Sequence, residues 1–169
     1  MPLSAGSTVP DLSLPAHDGC PISLAGASRE GPGVLLFFPL AFTDTCAEEL
    51  CTVGDDLGSY AALDARVFAI SVDSPYVLER FRTECGADYP FLSDFNREAS
   101  EAFGVLRTAP LGPGLRGVCD RAVFVVHEGV VRYAWHSTNP GLLPPFAEIK
   151  EALAEIRSGR EDQRLRPTG

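Results

Sequence analysis

Residues 34–51 constrain the fold of this chain more than any other part of the sequence. Residues 34–38 form an uninterrupted apolar run, which is typical of a strand buried on both faces. Pro39 ends the run, and a short loop leads from it to a segment that begins like a helix. Thr45 has the side chain of an N-cap, so we expect Cys46 to lie in the first turn of this helix.

The expected position of Cys46 favours chemistry at its sulfur. Unpaired backbone N–H groups and the helix dipole favour negative charge at a helix N-terminus. The thiolate is the nucleophilic form of cysteine, and a loop between a strand and a helix is a place where nucleophiles become exposed. Free cysteines are also among the most buried residues, so an inert core thiol is the alternative interpretation.

Length and charge limit the class of protein. The 169 residues suit one domain with a sizeable core. The net charge of −9 argues against nucleic acid or an anionic membrane as a partner. The first basic residue is Arg29, so the N-terminus lacks the positive start of a signal peptide, and no apolar run is long enough to span a bilayer. We therefore expect a cytoplasmic protein.

The cysteines indicate thiol chemistry rather than a disulfide framework. Disulfides are rare in the cytosol, and an odd number of cysteines cannot all pair within one chain. The sequence offers no argument for chemistry at two of them, Cys20 and Cys85. The five cysteines are Cys20, Cys46, Cys51, Cys85 and Cys119.

The order of the predicted elements defines an α/β protein. In chain order they are a hairpin over residues 11–24, a strand at 34–38, a helix at 45–62, a strand at 66–72, a helix at 75–85, a strand at 90–92, a helix capped by residues 93 and 94 and ending near 103, a hairpin over 121–135 and a helix at 146–157. Strand–helix–strand units predict a central sheet flanked by helices, and the closing hairpin makes the sheet mixed. This is a thioredoxin-like fold with an N-terminal β-hairpin extension. We assign residues 1–158 to this domain and residues 159–169 to a polar C-terminal tail.

Three residues of the opening segment carry a family resemblance. Pro39, Thr43 and Cys46 fit Pro-x-x-x-Thr-x-x-Cys, the active-site motif of the peroxiredoxins. The surrounding Phe-Phe-Pro-Leu-Ala-Phe-Thr resembles the AhpE branch of that family. Further similar segments are residues 6–14, 93–95, 103–105 and 121–126, the last of which resembles the strand that bears the family's active-site arginine. The resemblance covers residues 3–157, and the chain is identified as a member of the peroxiredoxins.

The resemblance implies a thiol peroxidase without cofactor or metal. Hydrogen peroxide or an organic hydroperoxide would oxidise Cys46 to a sulfenic acid, an antioxidant reaction. Thr43 would offer its hydroxyl to the sulfur and the substrate, and Arg121 a fixed positive charge for the thiolate and the leaving oxygen. Pro39 would shield the site. Glu49 would orient Arg121 or a neighbouring arginine, although an ordinary carboxylate in a first helical turn is an equal alternative.

Cys51 raises the question of how the sulfenic acid is resolved. It follows Cys46 by five residues, which is the resolving-cysteine spacing of the PrxQ, or bacterioferritin-comigratory, peroxiredoxins and a departure from the AhpE branch. In an intact helix these positions lie about 7.5 Å apart along the axis. A disulfide needs Cα atoms within roughly 7 Å, so the first helical turns would have to unwind. Gly54 and Gly58 weaken this helix.

Other routes to resolution remain open on the sequence alone. Cys51 is also compatible with a structural role. Cys119 precedes Arg121 by two residues, and on one strand both would face the active site. An external thiol could instead reduce the sulfenic acid directly. Thioredoxin suits a Cys46–Cys51 disulfide as reductant, whereas a mycoredoxin-like protein or a low-molecular-weight thiol suits a bare sulfenic acid.

Two other classes of function fit the residues less well, and a third stays open. A thioredoxin-type reductase would need Cys-x-x-Cys, but position 49 is Glu. A zinc site built from Cys46 and Cys51 with His17, His127 or His136 has poor spacing. A redox sensor or interaction domain would use the same reactive cysteine without efficient turnover. A homodimer through residues 40–42 and the Pro-rich loop 109–114 is a further expectation.

Overall fold

The computed structural model describes the backbone of residues 1–165 and the side chains of residues 1–161. Its strands are β1 (Ser13–Pro15), β2 (Pro21–Ser23), β3 (Gly33–Phe37), β4 (Arg66–Ser71), β5 (Phe91–Ser93), β6 (Arg121–His127) and β7 (Val130–Ser137). Its helices are α1 (Asp44–Asp55), α2 (Leu57–Ala62), α3 (Pro75–Glu84), α4 (Glu98–Ala102) and α5 (Phe146–Leu165).

The central sheet has the strand order β5–β4–β3–β6–β7, and β1 and β2 form a separate hairpin. Strand β3 pairs in parallel with β4 and antiparallel with β6, so the sheet is mixed as expected. All five residues of β3 are buried, which explains its uninterrupted apolar sequence. The register pairs Phe37 with Ala122, so the end of β3 lies beside Arg121, the first residue of β6.

The side chains of the sheet alternate between two core layers. Leu36 and Val123 belong to a layer covered by α1, α2, α3 and α5. Phe37 and Phe124 belong to the opposite layer, which is covered by the N-terminal hairpin and α4. Because α1 lies on the first of these faces, the face that carries Val123 and Val125 also carries the functional residues of α1.

The helix after β3 differs from the sequence-based prediction in two ways. Its N-cap is Thr43, which has extended backbone angles, and not Thr45. It also divides into α1 and α2, because Asp56 leaves the helical conformation between them. The Asp56 carboxylate forms an ion pair with Lys150 of α5, a tertiary contact that a local helix pattern does not reveal.

The bounds of two later helices, α4 and α5, also differ from the predicted ones. Helix α4 begins at Glu98, several residues after Asp94, yet the Asp94 carboxylate accepts hydrogen bonds from the backbone N–H groups of Ala99 (2.9 Å) and Ser100 (2.7 Å). Asp94 therefore stabilises the helix start from outside it. Helix α5 continues beyond residue 157 to Leu165, while residues 166–169 of the predicted tail lie outside the described part. Within the described residues, no helix is long and apolar enough to cross a membrane.

Candidate active site

The candidate nucleophile is buried at the start of α1. Cys46 is the third residue of this helix, and its side chain is only 1% exposed. The Arg121 guanidinium donates a hydrogen bond from Nη2 to the Cys46 Sγ over 3.3 Å. This contact places a positive charge beside the sulfur, where negative charge develops in a nucleophilic reaction.

Arg121 is held in place by the Cys46 sulfur and by two further partners. Its Nη1 forms an ion pair with the Glu49 carboxylate, and its Nη2 also donates to the Pro140 carbonyl oxygen at 2.9 Å. Burial acts to lower the pKa of Arg121, but the negative charges of Glu49 and Cys46 outweigh it and raise the pKa overall. The guanidinium is therefore a fixed positive charge, although its Nε is buried without a hydrogen-bond partner.

Glu49 is a buried residue rather than a surface charge. Its side chain is 0% exposed, and it lies in the second turn of α1 with Oε2 against Arg121. The alternative of an ordinary first-turn carboxylate is therefore wrong for Glu49, whereas Glu48 is exposed. Burial raises the pKa of Glu49 to about 7, and the charge and hydrogen bond of Arg121 oppose this rise.

A cavity of about 360 Å³ gives access to the sulfur. Thr43 lies on its wall, where its hydroxyl donates a hydrogen bond to the Leu40 carbonyl oxygen (2.9 Å) and not to Cys46. Pro39 is buried on the same wall and carries no backbone N–H. The residues lining the cavity are Pro39, Thr43, Asp44, Thr45, Cys46, Leu111, Arg121, Pro140 and Gly141.

The loop between β3 and α1 depends on a residue that sequence reasoning missed. The Asp73 carboxylate accepts hydrogen bonds from the Ala41 backbone N–H (2.8 Å) and from the Ser71 hydroxyl (2.7 Å). Phe42 in this loop has a positive φ of 64°, and its ring packs on Phe81 with centroids 5.0 Å apart. The available signal was that Asp73 follows β4, whose carboxyl end meets that of its parallel neighbour β3.

A second polar cluster that the sequence did not reveal supports the chain beside Arg121. Asp120 accepts a hydrogen bond from Arg107 Nη1 (2.6 Å), and its other carboxylate oxygen lies 3.0 Å from His136 Nε2. Arg107 Nη1 also donates to the Thr138 carbonyl oxygen at 2.8 Å. These contacts hold Asp120, the residue immediately before Arg121, in place. The side chains involved come from three separate segments of the chain.

The two other cysteines considered for resolution occupy different surroundings. Cys51 is partly exposed in α1, and the intact helix places it about 140° around the axis from Cys46. The expectation that Cys119 shares a strand face with Arg121 is wrong, because Cys119 precedes β6 and belongs to the opposite core layer. Its thiol donates to the Phe38 carbonyl oxygen at 3.0 Å, and burial raises its pKa well above the usual value.

The geometry defines a class of protein. A thiolate that is reached through a small cavity and paired with an arginine can attack a small electrophile, and the same arginine can hold the negative charge that leaves. Among the residues whose side chains are described, no three His, Cys, Asp or Glu side chains are grouped so that they could bind a metal ion. On a thioredoxin-like fold, this arrangement is that of a peroxiredoxin.

Comparison with known proteins places the chain within one family. Residues 5–134 match the AhpC/TSA family, and the chain belongs to that family. It is 34% identical over 157 residues to alkyl hydroperoxide reductase E of Mycobacterium tuberculosis, covering 91% of this chain and 98% of that protein. The chain is thus a thiol-dependent peroxidase of the peroxiredoxin type, with an AhpE-like sequence.

Solved structures give the same result for the fold. The crystal structure of the peroxidoxin BcpB from Mycobacterium tuberculosis superimposes with a TM-score of 0.77 at 31% identity, covering 98% of this chain and 99% of that one. A peroxiredoxin-like protein from Aquifex aeolicus superimposes with a TM-score of 0.82 at 23% identity, covering 92% and 89%. The thioredoxin-like fold expected from the sequence is therefore confirmed.

Proposed function

We propose that Cys46 reduces hydrogen peroxide and organic hydroperoxides, with Arg121 as its catalytic partner. The observation that carries this proposal is the 3.3 Å contact between Arg121 Nη2 and Cys46 Sγ beside the cavity. The thiolate attacks the terminal peroxide oxygen, so that the S–O bond forms as the O–O bond breaks. The alkoxide or hydroxide that leaves takes up a proton, and Cys46 becomes a sulfenic acid.

The other candidate residues assist this step in different ways. Arg121 and the backbone N–H groups at the start of α1 stabilise the negative charge on the leaving oxygen. The Thr43 hydroxyl exchanges its hydrogen bond with Leu40 for one with the bound peroxide. Pro39 forms a wall without a competing N–H donor. Glu49 is a positioning residue, because it contacts Arg121 and not the sulfur.

Rapid mixing followed by mass measurement tests the proposal. One equivalent of hydrogen peroxide added to the reduced protein should give, within seconds, either a gain of about 16 Da that a sulfenic-acid reagent traps on Cys46 or a loss of about 2 Da with a Cys46 cross-link. Repeated turnover with excess dithiothreitol would separate a peroxidase from a redox sensor, which oxidises once. An unchanged Cys46 peptide would contradict the assignment of the nucleophile.

A pH profile tests the role assigned to Glu49. Below about pH 7 this carboxyl is protonated, and its negative charge no longer opposes the thiolate beside Arg121. We expect the rate of Cys46 oxidation to change as the pH passes through about 7, where Glu49 ionises. This change should be absent in Glu49→Gln. Stopped-flow fluorescence can follow the reaction, because Trp135, the single tryptophan, packs on the same core layer as Cys46. An identical profile in both proteins would show that Glu49 does not titrate against the site.

We also propose a cytoplasmic location, a thiol reductant and a homodimer. Free thiols at all five cysteines suit a reducing compartment. A thioredoxin, a mycoredoxin-like protein or a low-molecular-weight thiol would return Cys46 to the reduced form. Exposed apolar side chains close to the cavity residues, Phe42 (50%), Leu115 (48%) and Leu142 (49%), support a dimer surface that includes residues 40–42 and the loop 109–114.

A further inference from the structure

Cys51 and Cys85 are neighbours in the folded protein. Cys51 lies in α1, and Cys85 is the C-cap of α3. Cys85 packs on the core layer that contains Leu50 and Val53 of α1, and Cys51 lies near enough to contribute to the raised pKa of the Cys85 thiol. Both side chains are partly exposed, in contrast with the buried Cys46 and Cys119.

The packing of α1 explains why these thiols meet. Gly54 lies on the same flank of α1 as Cys51, one turn further on. A Cβ at Gly54 would lie 3.7 Å from the Ala87 Cα, and the Tyr89 hydroxyl donates to the Leu50 carbonyl oxygen at 2.7 Å. The second half of α1 therefore packs against residues 87–89, which follow Cys85 closely in the chain.

We propose that Cys51 and Cys85 form the terminal disulfide of the catalytic cycle, the form on which the reductant acts. This inference rests on the proposed function, because it starts from the sulfenic acid at Cys46. It assigns a chemical role to Cys85, and it makes Cys51 a carrier between two partners rather than the end point of resolution.

Two steps transfer the oxidation to the new pair. In the first step the Cys51 sulfur attacks the Cys46 sulfur, the S–O bond breaks, and the hydroxyl leaves as water with the Cys51 proton. In the second step the Cys85 thiolate, whose proton passes to solvent, attacks the Cys51 sulfur and displaces Cys46 as a thiolate. Overall, two electrons pass from the Cys51/Cys85 dithiol to the peroxide, and Cys46 ends in its starting state.

The folded structure favours the second disulfide over the first. A Cys46–Cys51 bond requires α1 to unwind, since about 7.5 Å of helical rise separates the two positions. It also removes the Cys46 sulfur from Arg121. A Cys51–Cys85 bond joins two side chains that are neighbours when α1 is intact, so α1 can refold and the contact between Arg121 and Cys46 returns.

The second step is expected to be slow at neutral pH. In the reduced protein, burial raises the pKa of Cys85 to about 12, and the neighbouring Cys51 adds to this rise. The attacking thiolate is therefore scarce, and below that pKa its amount grows about tenfold for each unit of pH. The first disulfide should consequently accumulate before the second one, and the delay should shorten at higher pH.

Timed disulfide mapping tests the relay in the whole chain. Reduced protein is mixed with one equivalent of hydrogen peroxide without oxygen, quenched with acid at intervals and digested. We expect Cys46–Cys51 peptides first and Cys51–Cys85 peptides later, with a faster exchange at pH 9 than at pH 7. In Cys85→Ser the Cys46–Cys51 disulfide should persist, while Cys20→Ser, which changes an exposed cysteine outside the pair, should behave as the wild type.

The outcomes separate failure of the relay from failure of the proposed function. An unoxidised Cys46 would overturn the peroxidase assignment and the relay with it. An oxidised Cys46 with Cys85 still free at every time point and pH would overturn the relay alone. Formation of the Cys51–Cys85 disulfide in Cys46→Ser at the wild-type rate would also overturn the relay. The wild-type time course decides the matter even if Cys85→Ser does not fold.

Discussion

Arg121→Gln is expected to lower the second-order rate constant for peroxide reduction by about 10²–10³, the usual effect of removing one donor that stabilises developing charge. Glutamine keeps an amide near Glu49 but loses the positive charge that lies 3.3 Å from the Cys46 sulfur. Both the thiolate and the negative charge on the leaving oxygen lose their counter-charge. The rate should be measured by competition for hydrogen peroxide or by stopped-flow fluorescence of Trp135.

A matched variant makes this result specific. Arg80→Gln removes a guanidinium whose side chain is 74% exposed in α3 and, among the described side chains, pairs only with Glu84 of the same helix, so its rate should equal that of the wild type. Comparison of the thermal unfolding curves of the three proteins separates loss of catalysis from loss of fold. A rate for Arg121→Gln within a factor of three of the wild type would contradict the role of Arg121.

The sequence predicted the parts of the fold that depend on local pattern. Strands β3, β4, β6 and β7 were placed to within about two residues, because buried strands need continuous apolar runs and turn residues between them. The start of α3 at residue 75 was also predicted, and there Ser74 accepts a hydrogen bond from the Val77 N–H within its own turn. These signals lie in consecutive residues and need no information about distant contacts.

The features that the sequence did not reveal arise from contacts between distant segments. Asp56, where α1 ends, pairs with Lys150 of α5, and Asp73 accepts a hydrogen bond from the active-site loop. The meeting of Cys51 and Cys85 depends on how α1 packs against the chain after α3. No local periodicity records these pairs, so the same residues were compatible with several arrangements until the tertiary structure selected one.

Glu49 shows most clearly how a tertiary contact changes the meaning of a residue, and its removal is expected to have a large effect on stability. Glu49→Ala should lower the free energy of unfolding by about 3–5 kcal/mol, the usual cost of removing one partner of a buried ion pair. The variant leaves the Arg121 guanidinium buried without its carboxylate. Urea unfolding under reducing conditions measures the change. Glu84→Ala, which removes an exposed carboxylate from a surface pair, should change stability by no more than about 0.5 kcal/mol.

The pH dependence distinguishes a buried carboxyl from a simple packing defect. Because the pKa of Glu49 is raised in the folded state from about 4.5 to about 7, the folded protein binds this proton more tightly than the unfolded chain does. Protonation of Glu49 therefore stabilises the folded protein. This contribution is fully present below about pH 4.5 and is lost as the pH rises through about 7. The stability of the wild type relative to Glu49→Gln should therefore fall between these values, since the glutamine cannot titrate. A difference that stays constant with pH would mean that the carboxyl ionises in the folded protein as it does in the unfolded chain, and that Arg121 fully offsets the cost of its burial.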